Sequence, residues 1–212
     1  MIKLSNVTIK YAERIVLDIP SLLFEEGKRY GLVGENGSGK TTLLRILAGT
    51  LKPDKGEVTR MLSAGVGYMP QSPYAFSFSV RKNVEMALQK STERDHQAML
   101  ALQNVGMESL TDARGNKLSG GEAQRMAFAR IIAKPRKLIL LDEPTSSTDI
   151  KGMDQIEKTL LRYVADTGCT LIFSTHSPAQ ALRLAEEVIF LDQGRIVEQG
   201  AAEQVLRYPQ NE

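Results

Sequence analysis

One cysteine, Cys169, and no tryptophan stand in the 212 residues of this chain. A single thiol cannot build an internal disulfide framework and fits a reducing compartment. Long apolar runs are missing too. The longest, Ala98 to Leu102, has five residues, against the roughly 20 that a membrane-spanning helix needs. The N-terminal stretch MIKLSNVTIK alternates apolar and polar residues and lacks the apolar core of a signal peptide. These absences predict a cytosolic domain that does not enter the bilayer. Charge of one sign is also scarce: 27 Lys and Arg offset 25 Asp and Glu, for a net +2. That balance argues against a dedicated nucleic-acid binder, which carries a dense basic patch. Histidine occurs twice. His96 lies among Arg94, Asp95 and Gln97 on a solvated helix face and receives no role. Cys169 reads as a small core residue ahead of a buried strand, and the scattered methionines as core filler.

What is present is an alternation of short apolar segments with helical periodicity. Residues 1–33 read as β, with Leu4, Val7 and Ile9 on an edge-like run and Ile15, Leu17 and Ile19 alternating. Arg29 to Val33 is a short buried strand. A helix follows from Thr41 to about Gly49, then a turn at Lys52 to Gly56 and a strand at Val66 to Met69. Residues of about 80–117 change character, with apolar positions at helical spacing, and read as an inserted helical subdomain. From Ser119 the α/β pattern resumes. Helices are expected near 121–133, 153–166 and 178–186. Strands are expected at Leu138–Leu141, Thr170–Ser174 and Val188–Leu191. The fold class is α/β with a mainly parallel sheet wrapped by helices. The chain reads as one domain, 1–212, its core formed by 1–79 and 118–212.

Gly34-Glu35-Asn36-Gly37-Ser38-Gly39-Lys40-Thr41 matches G-x-x-x-x-G-K-[ST] and lies between a strand and a helix, the context that gives the pattern its meaning. Its backbone N–H groups can curl around phosphate oxygens, aided by the helix N-terminus. Lys40 brings a full charge to the β- and γ-phosphates, and the Thr41 hydroxyl can ligate Mg²⁺, a cation that prefers oxygen ligands. Thr42 follows as a further polar residue of the loop. Leu138 to Leu141 then ends in Asp142 and Glu143, at the strand end where open α/β sheets bind ligands. Asp142 is placed in the Mg²⁺ shell. Glu143, the next residue, points elsewhere and can orient and polarise an attacking water as general base.

Leu118-Ser119-Gly120-Gly121-Glu122 fixes the class. With the phosphate loop before it and the Asp-Glu strand after it, the chain resembles the nucleotide-binding subunits of ABC ATPases over essentially its whole length. The resemblance implies a P-loop NTPase core, an N-terminal antiparallel β subdomain and an inserted helical subdomain. It implies ATP and Mg²⁺ as cofactors. By motif matching it implies Gln71 as a Mg²⁺ ligand that senses the γ-phosphate, and His176 as the residue that contacts that phosphate and positions the water of Glu143. Ser119, Gly120, Gly121 and Glu122 would contact ATP held by a second subunit, so a dimer of two such chains is implied. Tyr11, 23 residues before Gly34, resembles the aromatic that stacks on adenine. Ser146 to Asp149 occupies the loop that passes between subunits, with Ser147 and Thr148 departing from the usual small and aliphatic residues.

Tyr74, Phe76 and Phe78 crowd one loop after Gln71, three of the chain's twelve Phe and Tyr residues. In the family this region receives a short helix of a membrane subunit, and exposed aromatics there suit interface anchors; the alternative is that they cover the helical subdomain's own core. The reading is an ATPase subunit at the cytoplasmic side of the membrane, peripheral through separate transmembrane permease subunits. It is expected to serve import of a small solute or ion such as tungstate or molybdate, with a solute-binding protein as a further partner. A soluble ABC ATPase acting on DNA or ribosomes is the alternative. It is opposed by the single phosphate loop, the lack of a long coiled coil and the near-neutral charge. A phosphate-loop kinase has no use for Leu118 to Glu122. Lys40→Ala is expected to abolish tight ATP binding, measured by titration with a fluorescent nucleotide; retained micromolar affinity would refute the phosphate-loop assignment.

Overall fold

A computed structural model describes residues 1–60 and 65–207. In chain order the strands are β1 (Ile2–Tyr11), β2 (Arg14–Phe24), β3 (Arg29–Val33), β4 (Lys55–Arg60), β5 (Val66–Met69), β6 (Leu138–Asp142), β7 (Thr170–Thr175), β8 (Glu187–Asp192) and β9 (Arg195–Ala201). The helices are α1 (Lys40–Ala48), α2 (Val80–Glu85), α3 (Arg94–Asn104), α4 (Gly120–Ile132), α5 (Ile150–Thr167), α6 (Pro178–Leu184) and α7 (Ala202–Arg207). They build a three-stranded antiparallel sheet, β2-β1-β4, and a six-stranded sheet, β5-β6-β7-β3-β8-β9. In the larger sheet β3 runs parallel to β7 and β8, and β6 parallel to β7, while β9 closes an antiparallel hairpin with β8. This is the α/β fold with a mainly parallel sheet.

Contacts divide the chain into two compact units. The first holds residues 1–68, 137–143 and 168 onward; the second holds 69–136 and 144–167. In the first unit, β6 and β7 are buried at every position. That explains the apolar runs Leu138–Leu141 and Leu171–Phe173 within them: a parallel strand covered on both faces has no solvent side. α1 packs on β6 and β7. Leu43, Leu44, Ile46 and Leu47 join Leu138, Leu140, Ile172 and Ile189 in one apolar cluster that continues into Leu4, Ile9, Leu17 and Ile19 of the antiparallel sheet. Each such side chain contributes about 1.5–3 kcal/mol on burial. Phe24 and Tyr30 meet edge to face at 5.0 Å in the same core.

The second unit is helical. α2 is capped by Ser79, whose hydroxyl accepts from the Lys82 N–H. Val80, Val84, Ala98, Leu102, Met126 and Phe128 are buried. The Asn104 carbonyl that ends α3 accepts from Gln155 Nε2 at 2.8 Å and Thr159 Oγ1 at 2.7 Å on α5, so two side chains satisfy a helix-terminal acceptor.

Three local expectations change. β1 is not an edge: it pairs with β2 on one side and β4 on the other. β4 itself escapes a reading of apolar periodicity because Lys-Gly-Glu-Val-Thr-Arg holds one aliphatic residue; it is recruited by backbone pairing to β1. α7 is likewise not anticipated, a single short helix anchored by Ala202 and Val205.

The β8–β9 turn touches the phosphate loop. Gly194 N donates to the Ser38 carbonyl at 3.0 Å, and Gly194 O accepts from Asp18 N at 2.8 Å. Its φ is 81°, and a Cβ there would stand 2.5 Å from the Val16 carbonyl oxygen. Gly194→Ala is expected to destabilise the protein by roughly 2–5 kcal/mol, combining left-handed strain with a backbone collision. A denaturation midpoint equal to wild type would show that the turn does not buttress this loop.

Candidate functional site

The phosphate loop of the first unit runs from β3 into α1. Gly34 has a φ of 152°, and a Cβ there would lie 2.1 Å from the Leu191 carbonyl oxygen, so the loop leaves the sheet along a path only glycine can take. Gly39 caps α1 in a left-handed conformation and its carbonyl accepts from Leu43 N. Lys40 is buried, and its ammonium donates to the carbonyls of Gly34 at 2.7 Å and Glu35 at 2.8 Å. Burial pushes its pKa below the ordinary lysine value, and the carboxylates of Glu143 and Asp142 oppose that shift. The ammonium has three N–H donors; two are used by these carbonyls among the described residues, and the third can meet an anion. Ser38 Oγ is buried with no hydrogen-bond partner among the described residues.

Asp142 ends β6 beside this loop. Its Oδ1 accepts from Thr41 Oγ1 at 3.1 Å and from Ser174 Oγ at 2.6 Å. Its Oδ2 is buried and has no hydrogen-bond partner among the described residues. An ionised carboxylate oxygen left without a donor in the interior is costly. A cation beside it would satisfy it, so Thr41 and Asp142 fit Mg²⁺. Among the described residues no three His, Cys, Asp or Glu side chains are grouped to hold a metal. Mg²⁺ takes one or two carboxylates and fills its shell with water and phosphate oxygens. Tyr68 is pushed up to about 12, by burial first and by Asp142 second.

Glu143 follows in a left-handed conformation, φ 46°. Its N–H donates to Ser174 Oγ at 3.0 Å. His176 Nδ1 lies 3.7 Å from Glu143 Oε2, with the imidazole largely exposed and the carboxylate largely buried. The first unit therefore brings Lys40, Thr41, Asp142, Glu143 and His176 together. Thr42 is half-buried on α1, while Glu35, Asn36 and Gly37 are exposed along the loop. Tyr11 is 52% exposed at the end of β1.

Gln71 and Ser119 to Glu122 belong to the second unit. Ser119 opens α4 with a capping box. The Ser119 N–H and hydroxyl both donate to Glu122 Oε2, at 2.7 and 2.8 Å, and the Glu122 N–H returns to the Ser119 hydroxyl. These bonds hold the Glu122 carboxyl below the usual carboxylate range, the backbone bond from Ser119 being the largest cause. Ser119 to Glu122, Arg125 and Ser147 to Asp149 line one open cleft. Gln124, not anticipated, ties this cleft together: its Nε2 donates to Ser146 Oγ at 3.1 Å and its Oε1 accepts from Ser147 N at 3.0 Å. In the sequence Gln124 is hidden among the polar residues of an amphipathic helix, and Ser174 among those of a buried strand.

The aromatic loop lies in the same unit. Tyr74 and Phe76 meet edge to face at 4.8 Å, and Phe76 and Phe78 stack at 6.2 Å. They are 71%, 37% and 50% exposed, so they cover no core. Buried Asn83 shapes the loop, accepting from Phe76 N and donating to the carbonyls of Phe76, Phe78 and Ser79. Arg130 from α4 bonds Asn83 and the Tyr74 carbonyl and lies 5.6 Å over the Phe76 ring.

A strand-loop-helix phosphate cradle beside an Asp-Glu strand end, with a serine-glycine-glycine helix start elsewhere in the chain, defines an ATP-binding cassette. The family model for the ABC transporter matches residues 17–146. The chain is a member of this ABC transporter family, and as such it binds and hydrolyses ATP to drive transport. It is 37% identical to the tungstate uptake system ATP-binding protein TupC of Peptoclostridium acidaminophilum, over 93% of this chain and 97% of that protein. It is 32% identical to the probable sulfate/thiosulfate import ATP-binding protein CysA of Chlorella vulgaris, over 99% of this chain and 95% of that one. The dimeric ATP-binding cassette MJ0796, solved in a post-hydrolysis state with ADP and Pi, superposes with a TM-score of 0.87 at 28% identity, covering 95% of this chain and 99% of that chain. Among the described residues no helix is long and apolar enough to cross a membrane.

Proposed function

We propose that this chain is the ATP-hydrolysing subunit of an importer for a small solute or ion, working as a dimer on the cytoplasmic face of separate transmembrane subunits. The observation that carries the chemistry is the cluster at the end of β6, where Asp142 offers a free buried oxygen and Glu143 stands beside His176. Lys40 binds the β- and γ-phosphates. Thr41 and Asp142 hold Mg²⁺, with Gln71 as a further ligand; the ion supplies charge neutralisation on the phosphates. Glu143 orients the attacking water and accepts its proton. His176, exposed on one side and next to Glu143 on the other, positions that water and contacts the γ-phosphate. Tyr11 stacks on adenine. Ser119 to Glu122 and the loop 146–149 face the nucleotide of the other subunit.

For the dimer, support comes from the MJ0796 cassette, which was solved as one. Import is supported by the names of the relatives, which serve tungstate uptake and sulfate or thiosulfate import. The tungstate relative favours an oxyanion cargo of that kind, delivered by a solute-binding protein. The exposed trio of Tyr74, Phe76 and Phe78 is the proposed seat of the transmembrane partner. An aromatic patch held rigid by Asn83 and Arg130 loses little entropy when it is covered.

Two variants test this reading. Glu143→Gln keeps ATP binding and lowers hydrolysis by two orders of magnitude or more, about the size of a lost general base. It traps an ATP-bound dimer visible by size-exclusion chromatography, and turnover at the wild-type rate would remove Glu143 from the role of base. The double variant Phe76→Ala, Phe78→Ala should leave the ATPase activity of the isolated subunit intact and prevent recovery of a membrane protein in pull-down from detergent-solubilised cells. Undiminished recovery would place the partner elsewhere.

A further inference from the structure

From the junction of β6 and β7 we infer that Ser174 is a positioning residue for both acids of the ATPase site, setting the free oxygen of Asp142 and the backbone turn at Glu143. The inference rests on the roles proposed above for Asp142 and Glu143. Ser174 stands in register with Asp142 on the neighbouring parallel strand and is fully buried, so no water can substitute for its hydroxyl. A hydroxyl has one proton and two lone pairs. The Glu143 N–H can only donate, so Ser174 Oγ accepts there at 3.0 Å. An ionised carboxylate can only accept, so the Ser174 proton goes to Asp142 Oδ1 at 2.6 Å, a short charge-assisted bond.

The two bonds have separate consequences. At Asp142, the hydroxyls of Ser174 and Thr41 both load Oδ1. The plane of the carboxylate is thereby set, and Oδ2 is the oxygen left for a cation. At Glu143, the chain leaves β6 at a φ of 46°, a conformation that non-glycine residues avoid. The Ser174 bond satisfies the N–H of that same residue and so stabilises the turn that aims its carboxylate toward His176. One buried side chain thus couples the cation ligand to the base. An aliphatic residue in its place would keep the strand and lose both bonds.

Ser174→Ala, Ser174→Thr and Glu143→Gln are compared in the full chain, by steady-state ATPase over a Mg²⁺ titration and by binding of a fluorescent ATP analogue with Mg²⁺ and with EDTA. For Ser174→Ala the Mg²⁺ concentration giving half-maximal hydrolysis should rise about ten- to hundredfold, the size of one lost charge-assisted bond. Its kcat should fall, its metal-free analogue affinity should stay within about twofold of wild type, and Ser174→Thr should restore the wild-type values. An unchanged Mg²⁺ dependence and kcat in Ser174→Ala overturn the inference. A parallel loss of metal-free binding also overturns it, because the effect would then be on the fold. If Ser174→Ala does not fold, Ser174→Cys, which keeps the volume and weakens the donor, is read in the same way. Glu143→Gln separates the two levels: wild-type turnover in that variant removes the base, while the Mg²⁺-dependent binding of the Ser174 variants still judges the link to Asp142.

Discussion

Charge burial at the carboxyl end of the parallel sheet is the constraint around which the first unit is arranged. Lys40 is desolvated enough that its pKa is lowered, and Asp142 is withdrawn from solvent with one oxygen unpaired among the described residues. Neither state is stable alone, because an uncompensated charge in the interior costs several kcal/mol. Each is tolerated because the surroundings supply partners: two loop carbonyls for the ammonium, two hydroxyls for one carboxylate oxygen. What remains unsatisfied is a donor on one side and an acceptor oxygen on the other. A phosphate with its cation complements both. The site is therefore poised for its ligand, and the apolar cluster beneath α1 supplies the stability that holds it so.

The second unit follows a different logic. Its surface loops are fixed by buried amides and a guanidinium. Gln124 ties the start of α4 to Ser146 and Ser147, and Asn83 with Arg130 holds the aromatic loop. These side chains hold polar backbone and exposed rings in place at the surface.

Much of this is legible in the amino-acid order alone. The phosphate loop, the Asp-Glu strand and the helix start at Ser119 are local patterns. Each works through neighbouring residues whose geometry follows from chain connectivity, and the buried strands betray themselves by uninterrupted apolar runs. β1 and β4 show the limit. A strand such as Lys55–Arg60 has no periodicity of its own, and exists because β1 offers it hydrogen bonds. Gln124, Asn83 and Ser174 are illegible for a related reason: a buried polar residue looks like any other polar residue until its partners are known.

Spacing along the chain was enough to establish the family and the order of the main elements, because both rest on patterns within short stretches of sequence. Which oxygen of Asp142 is free, which way Glu143 turns and that the aromatic trio stands exposed emerge from the folded arrangement alone. At the acids, those properties arise where residues 32 positions apart meet on neighbouring strands in register. A single hydroxyl donates to one acid and accepts from the next there, and no linear pattern records that geometry.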